Sequence, residues 1–277
     1  GDGGDELFGG YERYVADNYL RHLASLPGGI RRGVLGPAFA AAEAVSLPGR
    51  LKRRLGQLAA LAPMSDAERH LNWLSFFTPA EKSNLFTREF KSGGTSADSA
   101  EIMEKHYASV EDRQFTERQL TVDFLTYLPE TLMMKVDRAS MAVGLEVRCP
   151  ILSKSMIELA FSIPGEMKIK QNTTKWVLKE AFADLLPYEV LHRRKKGFEA
   201  PLNDWFRGRL KDVSRDLLTD ATAAGRGVFD QAEVRKILDE HQSGANHGHK
   251  IWTLLATELW FRTFIDGPAP AAPLSLI

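Results

Sequence analysis

The chain has 277 residues, of which 44% are hydrophobic, so it can bury a core as one large domain or two small ones. Lys and Arg (36) balance Asp and Glu (36), so no net charge favours nucleic acid or an acidic membrane. The single cysteine, Cys149, excludes an internal disulfide framework. The most apolar stretch, residues 33–49, is interrupted by Pro37, Glu43 and Pro48, and no secretion signal opens the chain. We therefore expect a cytoplasmic protein without a membrane span.

The first predicted helix follows a glycine-rich opening segment, and Pro27 with Gly28 end it. Its apolar stripe consists of Tyr11, Tyr14, Val15, Leu20 and Leu23. Ser65, followed three positions later by Glu68, has the pattern of a capping box and predicts a second helix start. Residues 91–100 are small and polar, which predicts a loop, and Gly93-Gly94 within them is the best candidate for a domain boundary.

The middle of the chain carries two apolar stripes at helical spacing, separated by Pro129 and ended by Gly144. They consist of Leu120, Phe124 and Leu128, and then of Leu132, Val136, Ala139 and Val143. Residues 145–150 are predicted to be extended, because Pro150 disfavours helical geometry in the residue before it.

The last part of the chain is also predicted to be helical. Helices are expected from Ser153, from Thr173, after Pro201, from Asp230 with Glu233 closing a second capping box, and from His249 to Ile265. In the last of these, Trp252, Leu255 and Leu259 are predicted to be core or packing residues. Few segments resemble buried parallel strands, so we expect a mainly α fold over residues 1–265, with residues 266–277 as a loose tail.

The opening sequence "GDGGDE" places three carboxylates among glycines at the start of a helix. Gly1, Gly3 and Gly4 would let the backbone approach a ligand, and a loop that leads into a helix suits phosphate. Carboxylates would repel phosphate unless Mg²⁺ bridges them, so Asp5 is a candidate metal ligand. Asp2 could then face an acyl or amine group. The alternative is a turn in which the aspartates cap the following helix.

Two further stretches carry charges that could take part in chemistry. "HRRKKGFEAPLNDWF", residues 192–206, could fix Lys195 as a clamp on a phosphoryl group, although a solvated basic turn or a nucleic-acid patch is an alternative. "KVDRASMAVGLEVRCPIL" contains Asp137 and Arg138 on a helix, and Glu146 and Arg148 on one face of an extended segment. Structural ion pairs between that helix and that segment are the alternative to catalysis.

Four stretches together resemble the synthetase domain of glutamine-hydrolysing asparagine synthetases. They are "GDGGDELFGGYERY", "MMKVDRASMAVGLEVRCPIL", "RKKGFEAPLNDWF" and "HKIWTLLATELWFR", in the order and at spacings like those of the family. The resemblance runs from Gly1 to about Arg262. It implies the helical C-terminal portion of an α/β adenine-nucleotide-hydrolase-like (PP-loop ATPase) synthetase domain, whose parallel sheet would lie mostly upstream of this chain.

The resemblance also implies a reaction, in which ATP adenylates a carboxylate, pyrophosphate leaves and glutamine-derived ammonia attacks the acyl-adenylate. By position, Asp5 matches the acid that holds Mg²⁺ on the pyrophosphate, and Asp2 matches the acid near the acyl group and the amine. Lys195 matches the lysine that contacts the phosphates. The glycines and Glu6 belong to the same motif, and Asp137, Arg138, Glu146 and Arg148 match motif positions without assigned individual roles. The implied partners are ATP and a small-molecule carboxylate, with no nucleic acid and no membrane.

Several features depart from a complete member of this family. A glutaminase domain and the nucleotide loop Ser-Gly-Gly-x-Asp-Ser are not found, so we expect an inactive C-terminal fragment that lacks its ammonia source. Residues 92–99 imitate that loop, but Asp98 comes two positions too late and no apolar strand precedes it, which predicts an ordinary loop.

The acceptor and the assembly are left open by the sequence. Many asparagine-forming members have Glu at the position of Asp2, and Ser153 replaces a family Asp, so a related amidotransferase or cyclase acting on another carboxylate, such as a surface-polysaccharide precursor, is an alternative. A non-catalytic helical interaction module is a second alternative. The oligomeric state is also open, with a homodimer as one alternative.

Overall fold

A computed structural model describes residues 2–24, 61, 64–93, 98–193 and 200–267. Within these ranges the chain is mainly α-helical, as predicted, and β-structure is limited to two isolated bridges. The described α-helices are α1 (Gly4–Phe8), α2 (Glu12–Ala24), α3 (Asp66–Leu74), α4 (Pro79–Leu85), α5 (Arg88–Gly93), α6 (Ser99–Ala108), α7 (Phe115–Leu125), α8 (Met134–Met141), α9 (Lys154–Ser162), α10 (Gly165–Lys168), α11 (Trp176–Ala181), α12 (Tyr188–His192), α13 (Leu202–Arg207), α14 (Lys211–Thr219), α15 (Ala221–Gly225), α16 (Gln231–Gln242) and α17 (Gly248–Phe264). A π-helix (Leu128–Met133) precedes α8, and a 3-10 turn (Pro150–Leu152) precedes α9. The parallel sheet of an α/β domain stays a prediction.

The chain forms two compact units, and each consists of two separate stretches of sequence. Unit 1 comprises residues 1–73 and 98–195, and unit 2 comprises residues 74–97 and 196–277. Unit 1 contains the glycine-rich opening. Among the described helices, none is both long and apolar enough for a membrane span.

A buried polar cluster in unit 1 joins α2, α3 and α7. Asp123 is fully buried and accepts hydrogen bonds from the Tyr14 hydroxyl and from Arg13 Nη2 at 2.8 Å. His70 Nε2 lies 2.9 Å from the other Asp123 oxygen, and His70 Nδ1 lies 2.8 Å from the Tyr107 hydroxyl. Buried polar groups are costly unless they are hydrogen-bonded, so this cluster fixes how α2, which follows the opening loop, lies on α7.

Apolar packing also supports the opening segment. Leu7 and Phe8 of α1 are buried together with Ala160 of α9. Partly buried side chains around them include Phe124, Ile151 and Leu152. The short helix α1 thus lies on a scaffold of α7, α9 and the 3-10 turn, and packing of this kind stabilises a helix too short to persist alone.

Unit 2 is organised around α13, α14, α16 and α17. Its core cluster consists of Leu85, Leu202, Phe206, Leu218, Val234, Ile237, Leu238, Ile251, Leu254 and Leu255. The carboxylate of Glu258, 2% exposed, accepts hydrogen bonds from Arg226 and from Arg262. The motif "HKIWTLLATELWFR" therefore has a structural role in this unit, because it supplies both core residues and a buried ion pair.

The two predicted capping boxes have different outcomes. In the first, the Ser65 N–H donates to Glu68 Oε2 at 2.7 Å and the Glu68 N–H donates to Ser65 Oγ at 3.1 Å, which confirms the prediction. In the second, Asp230 accepts from the N–H of Glu233, but its own N–H donates to the Leu85 carbonyl. Only half of that box forms, because a contact distant in sequence takes the donor.

Other boundaries correct the sequence predictions. The loop predicted over residues 91–100 is helical at both described ends: α5 runs through Gly93, and Asp98 caps α6 by accepting from the Ala100 N–H. Residues 94–97 lie outside the described residues. The helix expected from Thr173 begins only at Trp176. The helices expected from Ser153, after Pro201 and over residues 249–265 are confirmed as α9, α13 and α17.

Two apolar residues on stripes predicted from helical spacing are exposed. Val143, in the second stripe of the middle segment, is 79% exposed, and Trp252 of α17 is 42% exposed. Helical spacing identifies the apolar face of a helix, but it does not show whether another element covers that face.

Candidate functional site

The glycine-rich opening forms a tight turn that leads into a short helix, as its composition predicts. Gly3 has φ 86° and precedes α1, and Gly9 has φ 71° at its C-terminal end. Left-handed backbone of this kind favours glycine. A Cβ on Gly3 would collide with the Leu152 side chain. Gly3 is therefore required by packing against the 3-10 turn as well as by its backbone conformation.

The three carboxylates of this loop have different environments. Asp2 is partly exposed, whereas Glu6 is 1% exposed and accepts a 2.5 Å hydrogen bond from the Tyr11 hydroxyl. Burial raises the pKa of Glu6 above its usual value, although the Tyr11 hydrogen bond acts in the opposite direction. The Asp5 side chain is 14% exposed. Only Asp2 and Asp5 are thus placed to meet a ligand from solvent, and Glu6 has the environment of a structural residue.

Lys175 is the basic partner of Asp5. Its Nζ lies 2.6 Å from Asp5 Oδ1, and its backbone N–H donates to the Gly9 carbonyl at 3.3 Å. A Cβ on Gly10 would collide with both Asp5 Oδ1 and Lys175 Cε. The absence of a side chain at Gly10 is what lets the lysine reach the carboxylate. Sequence reasoning missed Lys175, because no spacing rule connects it with Asp5.

Two of the predicted site residues cannot be placed relative to this loop. Gly1 and Lys195 lie outside the described residues. The expected convergence of Asp5 and Lys195 on one ligand therefore stays a prediction. Arg193, the last described residue before Lys195, is exposed.

The four charged residues of the middle segment are all exposed. Asp137 and Arg138 lie on α8, and Arg148 Nη2 is 2.7 Å from Glu146 Oε1. This ion pair lies within the extended segment, so it does not tie the helix to that segment as the alternative interpretation expected. At 84% and 70% side-chain exposure, such a pair contributes little to stability. A catalytic role for any of the four charged residues stays a prediction.

The donors of residues 2–10, here called the acid loop, can be compared with what Mg²⁺ requires. Among the described residues, no three His, Cys, Asp or Glu side chains form a group that could hold a metal by themselves. Mg²⁺ commonly binds one or two protein carboxylates and completes its shell with substrate phosphates and water. A partly exposed Asp5, with Asp2 three residues before it, fits that mode and does not fit a closed all-protein site.

Comparison with known proteins identifies the family of the chain. The sequence model of the family described as "Asparagine synthase" matches residues 1–262, nearly the whole chain. The chain belongs to the asparagine synthase family. The resemblance drawn from the four sequence stretches is thereby confirmed, and the acid loop lies at the start of the matched region.

Individual relatives give the same result. "Asparagine synthetase [glutamine-hydrolyzing] 1" of Bacillus subtilis (strain 168) is 26% identical over 267 residues, which is 96% of this chain and 40% of the relative. A Mycobacterium tuberculosis protein, provisionally given the same enzyme name, is 30% identical over 268 residues, 96% of this chain and 39% of its own length. "Asparagine synthetase [glutamine-hydrolyzing]" of Cricetulus griseus is 32% identical over 152 residues, 50% of this chain and 26% of the relative.

The coverage of these relatives is partial. This asparagine synthase family chain spans about 40% of the length of the relatives that match nearly all of it. No solved structure gave a significant match to it.

Proposed function

We propose that this chain supplies the synthetase part of an ATP-dependent amidation that converts aspartate to asparagine through an acyl-adenylate. The observation that carries the proposal is the family match over residues 1–262 together with the acid loop, where a partly exposed Asp5 lies beside Lys175. The relatives' names include glutamine hydrolysis, which supports ammonia from glutamine as the nitrogen source.

The charges of this reaction explain why such residues are needed. Adenylation builds negative charge on the α-phosphate and on the departing pyrophosphate. Asp5 would hold Mg²⁺, which when bound supplies positive charge to the phosphate oxygens. Lys195 would contact the same phosphates. Stabilising charge that develops in the transition state lowers the barrier more than binding the ground state does.

The second half of the reaction assigns a role to Asp2. As ammonia attacks the acyl carbon, the bond between that carbon and the AMP oxygen breaks and AMP leaves. The nitrogen must lose a proton, and a nearby carboxylate can accept it. Asp2 is partly exposed beside the turn at Gly3, which supports this role. Glu6 would act only through the fold, because it is buried and bonded to Tyr11.

The test replaces Lys195 in the full-length protein. Lys195→Ala should abolish pyrophosphate release that depends on the carboxylate substrate, with ammonium supplied directly so that glutamine hydrolysis is not limiting. Lys196→Ala, the neighbouring lysine, is the matched control and should retain release. Unchanged release in Lys195→Ala would remove Lys195 from the mechanism. An absence of aspartate-dependent release in the unaltered protein would contradict asparagine formation.

A second candidate acceptor is favoured by one sequence observation. Asp2 is one methylene shorter than the Glu found in many asparagine-forming relatives, so its carboxylate reaches about 1.5 Å less far. A related protein that amidates a larger or differently shaped carboxylate would fit this change. Pyrophosphate release measured over a panel of carboxylates distinguishes the two, because release with aspartate alone would exclude the second candidate.

A further inference from the structure

Lys175 occupies an unusual backbone conformation. Its φ of 54° and ψ of 34° are left-handed, and Gln171 and Asn172 in the same segment also have positive φ. A left-handed conformation is strained for a residue with a Cβ. Such strain persists only where the surrounding structure enforces it, and it is concentrated at functional sites.

Three features of the acid loop accommodate the lysine. The Gly9 carbonyl accepts from the Lys175 N–H, and Gly10 leaves the space that the Lys175 side chain crosses. A Cβ built on Gly4 would lie 3.6 Å from Lys175 Nζ, so that glycine also borders the ammonium group. Backbone, glycine spacing and charge therefore direct the same lysine to Asp5.

The ion pair alone does not account for this arrangement. The Lys175 and Asp5 side chains are 28% and 14% exposed, and ion pairs in contact with solvent contribute little net stability. A role in fixing the geometry of the Asp5 carboxylate would explain why Lys175 is held in a strained backbone conformation, which the stability of the ion pair does not explain.

We propose that Lys175 is a positioning residue, which holds the Asp5 carboxylate in the orientation that receives magnesium-bound ATP. The inference rests on the proposed function of Asp5 as the metal-binding acid. Groups that orient a metal ligand typically change metal affinity or activity by roughly 10- to 100-fold when they are removed. We therefore expect a loss of that size in magnesium-dependent ATP binding.

The experiment measures ATP binding to the full-length protein by calorimetry, with Mg²⁺ and again with EDTA. The dissociation constant measured with EDTA, divided by the one measured with Mg²⁺, gives the contribution of the metal. Lys175→Met should reduce that ratio roughly 10- to 100-fold, and Lys175→Arg should restore part of it. Lys170→Met is the matched control: Lys170 is an exposed lysine of the same segment, placed over the Trp176 ring, and its loss should leave the ratio unchanged.

Two further variants separate positioning from folding. Lys175→Asn removes the ammonium group but keeps a residue that tolerates left-handed backbone. The variant should therefore fold, and its ratio of dissociation constants should still be reduced. In a protein that already carries Asp5→Asn, adding Lys175→Met should have no additional effect, because the group to be positioned is gone. An additional loss in that background, or an unchanged ratio in Lys175→Asn, would overturn the proposal.

Failure of the inference can be told apart from failure of the proposed function. If the unaltered protein binds ATP more tightly with Mg²⁺ and releases pyrophosphate, but the Lys175 variants behave like it, only the role of Lys175 is wrong. If the unaltered protein neither binds ATP nor releases pyrophosphate, the proposed function is wrong and the role of Lys175 fails with it.

Discussion

The hydroxyl of Tyr11 donates a 2.5 Å hydrogen bond to Oε1 of the buried Glu6 side chain. Within the described residues, Oε2 of the same carboxylate is buried without a hydrogen-bond partner. A buried carboxylate of this kind favours its protonated form, and the pKa of Glu6 is raised mainly by burial. Glu6 thus differs physically from Asp5, its neighbour in sequence.

Replacing Glu6 with Gln should stabilise the protein at neutral pH. A raised pKa means that the folded state binds the proton more tightly, so unaltered protein loses stability as the pH rises from 4.5, the ordinary value, through the raised pKa. Glu6→Gln cannot ionise, and its advantage should therefore grow over that window. Urea unfolding across the pH range measures it, with Glu101→Gln on an exposed pair as the control. A gain that is the same at all pH values would contradict this account.

Replacing Asp123 with Asn should have the opposite effect. Asp123 is fully buried and pairs with Arg13 and His70, so its loss leaves buried donors uncompensated at a cost of about 3–5 kcal/mol. Burial alone would raise the pKa of Asp123, but His70, Arg13 and Tyr14 outweigh it and lower the pKa below 3.8. The stability that depends on its charge is therefore present above pH 3.8 and is lost as the pH falls through the lowered pKa.

The measurement for Asp123→Asn is the free energy of unfolding at pH 7 and in acid. The cost should be largest at neutral pH and should shrink in acid, as unaltered protein also loses the charge. A cost below about 1 kcal/mol at pH 7, typical of an exposed pair, would contradict the role assigned to this cluster.

Lys168 gives a prediction for alkaline pH. Its side chain is buried, and burial lowers the pKa of Lys168 from 10.5 to about 8. The unfolded chain then binds the proton more tightly, so unaltered protein gains stability as the pH rises from about 8 to 10.5. Lys168→Met keeps the apolar stem without the charge. It should be more stable than unaltered protein at pH 7, and the difference should disappear above pH 10.5 in thermal unfolding. Lys170→Met, at an exposed lysine of the same segment, is the control.

Glu258 in unit 2 is expected to be sensitive to neutralisation. Glu258 is 2% exposed, and its Oε1 accepts hydrogen bonds from Arg226 Nη2 at 3.1 Å and from Arg262 Nε at 2.7 Å. Glu258→Gln removes the carboxylate that the two guanidinium groups share. Because Arg226 keeps Asp266 and Arg262 keeps Asp220, the substitution should cost about 1–3 kcal/mol. Asp239→Asn, which breaks the more exposed pair with Arg215, should cost less than about 1 kcal/mol in the same denaturation experiment. Equal costs would show that burial of Glu258 is unimportant.

Local sequence signals predicted the features that depend on near neighbours. The capping box of Ser65 and Glu68 lies within four residues, and the glycine-rich turn is fixed by Gly3 and Gly9 themselves. Such features need no knowledge of the rest of the chain, because donor, acceptor and backbone conformation are all encoded together.

Features that depend on distant partners could not be predicted in the same way. Asp230 satisfies its N–H with Leu85, and Asp5 pairs with Lys175, although neither partner is near in sequence. Asp123 gives no sign in the sequence that it is buried, because a lone Asp between Val122 and Phe124 fits an exposed helix face equally well. Family resemblance predicted a role for Asp5 but supplied no information about the lysine beside it.

The division of unit 2 between residues 74–97 and 196–277 has a consequence for synthesis on the ribosome. The first stretch emerges while roughly 100 residues still separate it from the second, a delay of about 5–20 s at ordinary elongation rates. During that interval Leu85 lacks the later core side chains, and Thr87 lacks its partner at Val228. Nascent chains stalled before residue 196 should therefore expose apolar side chains of residues 74–97 that chaperones can bind. Shortening the gene from its 3′ end would leave these side chains without their core partners.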